Sequence, residues 1–197
     1  YGRSRYIDAL VNSLKLGGTA ALLAGAFAVP LAWAVARTDM PGRGLAKALA
    51  TRGLKGGTFL DLGAGPGTQA LELARLGFDV TGSDISPTAV ALAQERARGT
   101  TARFVVDDVL DTKLGRAFDA VFDRGCFHVF DPSAHPAYLK SLRALVGPGG
   151  VFFLKCFSAL EPGDVGPRRY TPDALQRVFG DAFTIEPGIY VRENVFK

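Results

Sequence analysis

The 197-residue sequence predicts an α/β fold, a doubly wound and mostly parallel sheet preceded by an apolar N-terminal helix. Three observations predict it. From about residue 57, short apolar runs alternate with helical patterns. The stretch "FLDLGAGPGTQA", residues 59–70, places glycines at alternate positions between the first apolar run and the first helical pattern. Ser86-Pro87 and Thr171-Pro172 each pair an N-cap residue with a proline at the first helical position.

Residues 1–44 read apart from the rest. Residues 16–36 carry no charge and are bounded by Lys15 and Arg37. About 20 apolar residues span a bilayer as a helix. Trp33 suits an interface, and Arg37, Arg43 and Lys47 favour a cytoplasmic exit. A buried or amphipathic helix is the competing reading, since Gly and Pro weaken the segment as a span. The chain starts at Tyr1 rather than methionine, as a fragment or a processed product would.

Residues 45–197 form one expected domain. A first strand covers residues 58–62. A helix follows over 68–76, with Leu71, Leu73, Ala74 and Leu76 available for packing, and stops at Gly77. Residues 78–82 form the second strand, and Ser86 caps a helix running to about residue 98. The third strand covers 102–106 and the fourth 118–122. A helix spans 136–146, the fifth strand 151–157, and Thr171 caps a helix to about residue 179. A sixth strand covers 183–191. In such sheets, ligands bind at the carboxyl ends of the strands.

Charge and cysteine content narrow the function. Residues 1–50 hold six Lys/Arg and two Asp/Glu, whereas residues 51–197 hold seventeen of each. The main domain is therefore neutral, without the basic stripe of a nucleic-acid binder. Two cysteines, Cys126 and Cys156, make a disulfide framework unexpected and a reducing, cytoplasmic setting the default.

The glycine loop formed by Gly63, Ala64, Gly65 and Gly67 lets the backbone approach a nucleotide-like ligand. Asp84 ends the second strand, where a carboxylate accepts both ribose hydroxyls. A nicotinamide-binding domain shares both features. Three others point elsewhere. The spacing is G-x-G-x-G rather than G-x-G-x-x-G. Asp61, two residues before the first glycine, would repel a pyrophosphate but suits the ammonium of an amino acid. Asp108, in "VVDDVLD", ends the third strand where it can accept from an adenine amine.

With these residues in order, the sequence resembles the class I S-adenosylmethionine-dependent methyltransferases. "LDLGAGPGT" is similar to their first motif, "SDIS" to the ribose acid, "DDV" to the adenine contact and "FDAVFDRGCFHVF" to their fourth-strand motif. "LVGPGGVFFLK" resembles their Gly-Pro hairpin. The resemblance covers residues 45–190 and implies a Rossmann-like sheet with S-adenosylmethionine as cofactor. It implies that Asp61, Gly63, Ala64, Gly65 and Gly67 surround the methionine moiety, Asp84 binds the ribose, Ile85 covers one adenine face, and Asp108 with the Val109 amide meets the adenine. Asp123, Arg124 and Gly125 would stand at the methyl-donor side, with Asp123 and Arg124 as catalytic candidates. "FDRGCFH" and "GPRRYTPDAL" resemble the small-molecule branch near thiopurine and tellurite methyltransferases, which implies a thiol, thiopurine or metalloid oxyanion as acceptor. Such domains end with a seventh, antiparallel strand, for which "RENVFK" offers at most a stub.

His128 is a candidate local base, with a packed or hydrogen-bonded histidine as the other reading. Cys126, His128 and His135 are too few for a metal site, and no metal is expected. Arg168, Arg169 and Tyr170 lie in a Gly/Pro-rich loop that reads either as a lid over an anionic or aromatic acceptor or as a solvated loop. Residues 9–44 resemble the first transmembrane segment and following loop of binding-protein-dependent ABC-transporter permeases. That resemblance implies an anchor to the inner membrane, with membrane contact through residues 16–36, or a fused piece of another protein. A permease fragment joined to a methyltransferase-like domain of little or no activity is the alternative function. Nothing in the sequence defines the oligomeric state.

Overall fold

The computed structural model describes residue 49 and residues 52–160 and 166–186. The N-terminal apolar segment, residues 1–44, lies outside them, as do residues 187–197, which hold most of the expected sixth strand and any stub of a seventh. Residues 183–186, its expected start, carry no strand. Among the described residues, no helix is long and apolar enough to cross a membrane.

Five parallel strands form the sheet: β1 (Thr58–Leu62), β2 (Asp79–Asp84), β3 (Arg103–Val106), β4 (Phe118–Arg124) and β5 (Val146–Lys155), in the order β3-β2-β1-β4-β5. The crossover helices are α1 (Thr68–Arg75) after β1, α2 (Pro87–Arg96) after β2 and α3 (His135–Leu145) before β5, and α4 (Pro172–Phe179) follows at the end. Both caps form as the sequence implies. Ser86 Oγ accepts from the Ala89 amide at 3.3 Å, and Thr171 Oγ1 from the Ala174 amide at 3.1 Å.

The two faces of the sheet carry separate cores. Phe59, Val80, Ala120 and Phe122 pack with Ala70 and Leu73 of α1 and with Val90 and Ala93 of α2. Leu60, Leu62 and Val121 face the other way, onto Tyr138, Leu142 and Leu145 of α3 and Phe179 of α4. Each fully buried large apolar side chain contributes about 1.5–3 kcal/mol, so both layers are held chiefly by the alternating pattern of β1 and β4. Leu76, expected to pack, is half exposed beyond the end of α1, and Ala70 takes the buried position instead.

Two strands are longer than their patterns imply. β4 continues through Asp123 and Arg124, and β5 begins at Val146. Phe118 pairs with Val146 and Ala120 with Val151, so the Gly-Pro segment bulges out between two paired positions. Gly150 permits this, because a Cβ there would lie 2.8 Å from the Gly147 carbonyl oxygen. Beyond β5, a short parallel pair, β6 (Phe157–Ser158) and β7 (Arg169–Tyr170), joins the loop ends.

Candidate functional site

Strand order reverses between β1 and β4, and a crevice opens at the carboxyl ends of strands at such a point. The loop from Gly63 to Gly67 begins there. All three glycines have left-handed backbone, with φ of 64°, 52° and 80° at Gly63, Gly65 and Gly67. Their surroundings differ. A Cβ at Gly65 would meet nothing within 4 Å, so the backbone there faces open space. A Cβ at Gly67 would lie 2.6 Å from Phe104 Cζ and 3.1 Å from Ala93 Cβ. Gly67 is therefore small because Phe104 packs on it, a packing reason that its place in the loop pattern did not reveal. Ala64 anchors the loop, its amide donating to the Ser83 carbonyl at 2.9 Å.

Asp61 lies below this loop and is 2% exposed. Its carboxylate accepts from the Ala70 amide at the start of α1. Oδ2 is buried and has no hydrogen-bond partner among the described residues. Burial pushes its pKa up to about 7, with the Asp123 charge adding to the shift, while the Ala70 amide and the nearby Arg124 guanidinium oppose it. A buried carboxylate oxygen without a donor is costly unless a ligand supplies one.

Asp84 is half-buried at the end of β2. Oδ2 accepts from the Gly65 amide and Oδ1 from the Ser86 amide, both at 2.8 Å. It thus ties the glycine loop to the start of α2, a role its sequence position does not reveal. An ionised carboxylate offers about four acceptor sites, so capacity for two hydroxyls remains. Ile85 beside it is 68% exposed and Val106 54% exposed, an apolar pair at the ends of β2 and β3. Asp108 is exposed, its Oδ1 accepting from the Leu110 amide at 2.9 Å as the cap of a short 3-10 turn over Val109–Asp111. Val109 is buried, and its neighbour Asp107 turns inward to Thr112 Oγ1 and the Lys113 amide, both at 2.7 Å.

Asp61, Asp84 and Asp108 stand at or just past the carboxyl ends of the parallel strands β1, β2 and β3, on one edge of the sheet, and the residues at the end of β4 are engaged differently. Asp123 is fully buried. Oδ1 accepts from the Cys126 amide at 2.7 Å, and Oδ2 from the Phe127 amide at 2.9 Å and the Tyr138 hydroxyl at 2.5 Å. A carboxylate so engaged holds the turn after β4, a structural role that its place among the catalytic and cofactor-binding candidates did not reveal. Arg124 is exposed at the end of β4. His128 Nδ1 accepts from the Phe157 amide at 3.3 Å, and its ring stacks on Phe157 at 5.1 Å with an interplanar angle of 16°. Burial lowers its pKa against the opposing pull of Asp123. This matches the packed, hydrogen-bonded reading of the histidine at Nδ1 and the ring face. Burial likewise pushes the Cys126 thiol up to about 12 and Cys156 to about 11, so neither is a thiolate at neutral pH.

The loop arginines are also engaged. Arg168 pairs with Asp131 at 2.7 Å, donates from Nε to the Phe130 carbonyl at 3.1 Å, and its amide meets the His128 carbonyl at 2.9 Å. Arg169 lies 6.0 Å from the centre of the Phe157 ring. Sequence reading missed Tyr138. The available signal was an aromatic at a buried position of the α3 pattern.

Comparison with known proteins adds to this geometry. Residues 59–150, from β1 into β5, match the methyltransferase domain family. The chain is 33% identical over 102 residues to an uncharacterized methyltransferase of Schizosaccharomyces pombe, covering 50% of this chain and 70% of that protein. It is 37% identical over 106 residues to the ubiquinone biosynthesis O-methyltransferase of Methylobacterium nodulans, covering 49% of this chain but only 39% of that longer protein. A solved structure concerning the conversion of a disulfide bond into a thioacetal group during echinomycin biosynthesis is 35% identical, with a TM-score of 0.62 over 71% of this chain and 68% of that one. A glycopeptide N-methyltransferase complexed with S-adenosyl-L-methionine is 25% identical, with a TM-score of 0.55 over 60% and 56%. The sheet order, the acid at the end of each of its first three strands, and these matches agree: the chain belongs to the S-adenosylmethionine-dependent methyltransferases.

Proposed function

We propose that this chain binds S-adenosylmethionine across the carboxyl ends of β1, β2 and β3 and transfers its methyl group to a small-molecule acceptor beside the ends of β4 and β5. The observation that carries the reading is Asp61 Oδ2, a buried carboxylate oxygen lacking a donor beneath a glycine loop that faces open space. An ammonium supplies that donor and returns the carboxylate to its ionised form. Asp84 accepts from the ribose, Ile85 and Val106 cover the adenine, and Asp108 accepts from its amine through the oxygen not used by Leu110. Arg124 stands at the methyl-donor side, near enough to favour the ionised form of Asp61.

When bound, the cofactor supplies an activated sulfonium methyl for in-line displacement. The chain's part is to align that group and exclude water. With Cys126 and Cys156 protonated and His128 Nδ1 occupied, these residues offer little general-base help. An acceptor that ionises by itself fits this best: a thiol, a thiopurine or a metalloid oxyanion. The similar structure associated with thioacetal formation also concerns sulfur, whereas the ubiquinone relative is named for oxygen methylation. The test is a screen of thiols, thiopurines, tellurite and phenols with detection of demethylated cofactor. Turnover of sulfur or metalloid acceptors is expected. Turnover of phenols alone would overturn the acceptor class.

A further inference from the structure

Tyr138 lies on α3, on the sheet face opposite the glycine loop, and is fully buried. Its ring packs against Phe127 at 5.5 Å and Phe130 at 5.7 Å. Apolar packing alone would be served by phenylalanine. The hydroxyl instead reaches Asp123 Oδ2 at 2.5 Å and is a third donor to a carboxylate that already holds the Cys126 and Phe127 amides. Those two amides define the turn that leaves β4. With the turn held this way, Cys126 abuts the glycine loop: a Cβ on Gly63 would lie 3.3 Å from Cys126 Cβ and 3.5 Å from its Sγ. A continuous chain of contacts therefore runs from Tyr138 through Asp123 and Cys126 to Gly63, from one face of the sheet to the other.

We propose that Tyr138 is a positioning residue for the cofactor, its hydroxyl fixing Asp123 and the turn after β4 so that Cys126 sets the height of the Gly63–Gly65 loop. The proposal rests on that loop holding S-adenosylmethionine. Tyr138 touches no reacting atom and acts only through Asp123. A bound group misplaced by about 1 Å can lose much of its productive geometry, so a remote hydroxyl can matter here.

The test uses the full chain. Tyr138→Phe removes the hydroxyl and keeps the ring. Phe179→Leu is the control, because Phe179 packs on the same aromatic cluster and has no side-chain donor for Asp123. Calorimetry with S-adenosylmethionine should show about tenfold weaker binding for Tyr138→Phe, the scale of one hydrogen bond to a charged group, and near-native binding for Phe179→Leu at a similar loss of Tm. Without cofactor, a thiol reagent read by mass spectrometry should label Cys126 faster in Tyr138→Phe only. In a double-mutant cycle, Cys126→Gly, which removes both the Cβ and the Sγ that face Gly63, should add little to Tyr138→Phe, since both break the same link. Native affinity in Tyr138→Phe, equal weakening in Phe179→Leu, or additive losses would overturn the proposal. If Tyr138→Phe fails to fold, Cys126→Gly alone must weaken binding several-fold, and unchanged affinity overturns it. A wild-type chain that binds no S-adenosylmethionine would defeat the cofactor reading itself, yet unaltered Cys126 labelling would be needed to refute the mechanical link.

Discussion

Asp61 and Asp123 occupy neighbouring strands one register step apart and point to opposite faces of the sheet. Asp61 pairs with Phe122, and Leu62 pairs with Asp123. Both carboxylates are buried. Both oxygens of Asp123 are engaged, by two amides and a hydroxyl, and Asp61 keeps one oxygen without a donor. Strand alternation creates the difference: one acid meets the packed interior beneath α3, the other the start of α1 and the crevice. The first is structural and the second is available to a ligand.

A pH dependence follows for cofactor binding. Asp61 has its pKa raised to about 7, chiefly by burial, so it is substantially protonated at pH 6 in the free protein. An ammonium favours the ionised form. Binding should therefore release a proton below about pH 7, and affinity should rise as pH increases through that value. The sign for folding is opposite: the native state holds a proton that the unfolded chain loses near pH 4, so this group's contribution to stability falls as pH rises from about 4 to 7. Calorimetry at pH 6 in buffers of different ionisation enthalpy measures the released proton, and Asp61→Asn should abolish both the release and the pH slope.

Gly65→Ala and Gly67→Ala should fail in different ways. Both impose left-handed backbone on alanine, a cost of about 1–2 kcal/mol. Gly67→Ala also drives a methyl into Phe104, and overpacking adds about 1–3 kcal/mol. Gly65→Ala meets only open space, so its further loss should appear in cofactor affinity. Denaturant titration and calorimetry on both variants separate the two, and equal stability losses would contradict the assignment.

Much of this layout was legible in the sequence. β1 is bounded as its apolar run implies, and Ser86 and Thr171 cap their helices because a side-chain acceptor followed by proline leaves few alternatives. The site was harder to read. Asp123 looks like its neighbours Asp61 and Asp84 in a linear pattern, and only the approach of Tyr138 from α3 shows that it is consumed. Gly67 matches the loop pattern, yet its partner Phe104 sits on a strand two positions away in the sheet. Such assignments depend on long-range packing, which residue spacing does not encode.

The arginine loop, which the sequence leaves open between a lid and a solvated loop, can be tested by measurement. Arg168 is bound to Asp131 and Phe130, which lie beyond the Cys126–Phe127 turn, so it braces the following segment rather than the turn that Asp123 holds. The pair is substantially exposed, which limits it to about 0–1 kcal/mol. Arg168→Ala and Asp131→Ala should each lower Tm slightly and leave cofactor affinity unchanged. A large rise in acceptor KM for Arg168→Ala but not for Asp131→Ala would restore the arginine to a substrate-steering role.

The most direct measurement is calorimetric titration of the full chain with S-adenosylmethionine and, separately, with NAD, at pH 8 where Asp61 is ionised. The account predicts one S-adenosylmethionine per chain, no comparable binding of NAD, and a loss of affinity in Asp61→Ala that exceeds the loss in Asp108→Ala, because only Asp61 carries a buried oxygen without a donor. Absence of S-adenosylmethionine binding, tighter binding of NAD, or native affinity in a folded Asp61→Ala variant would contradict it.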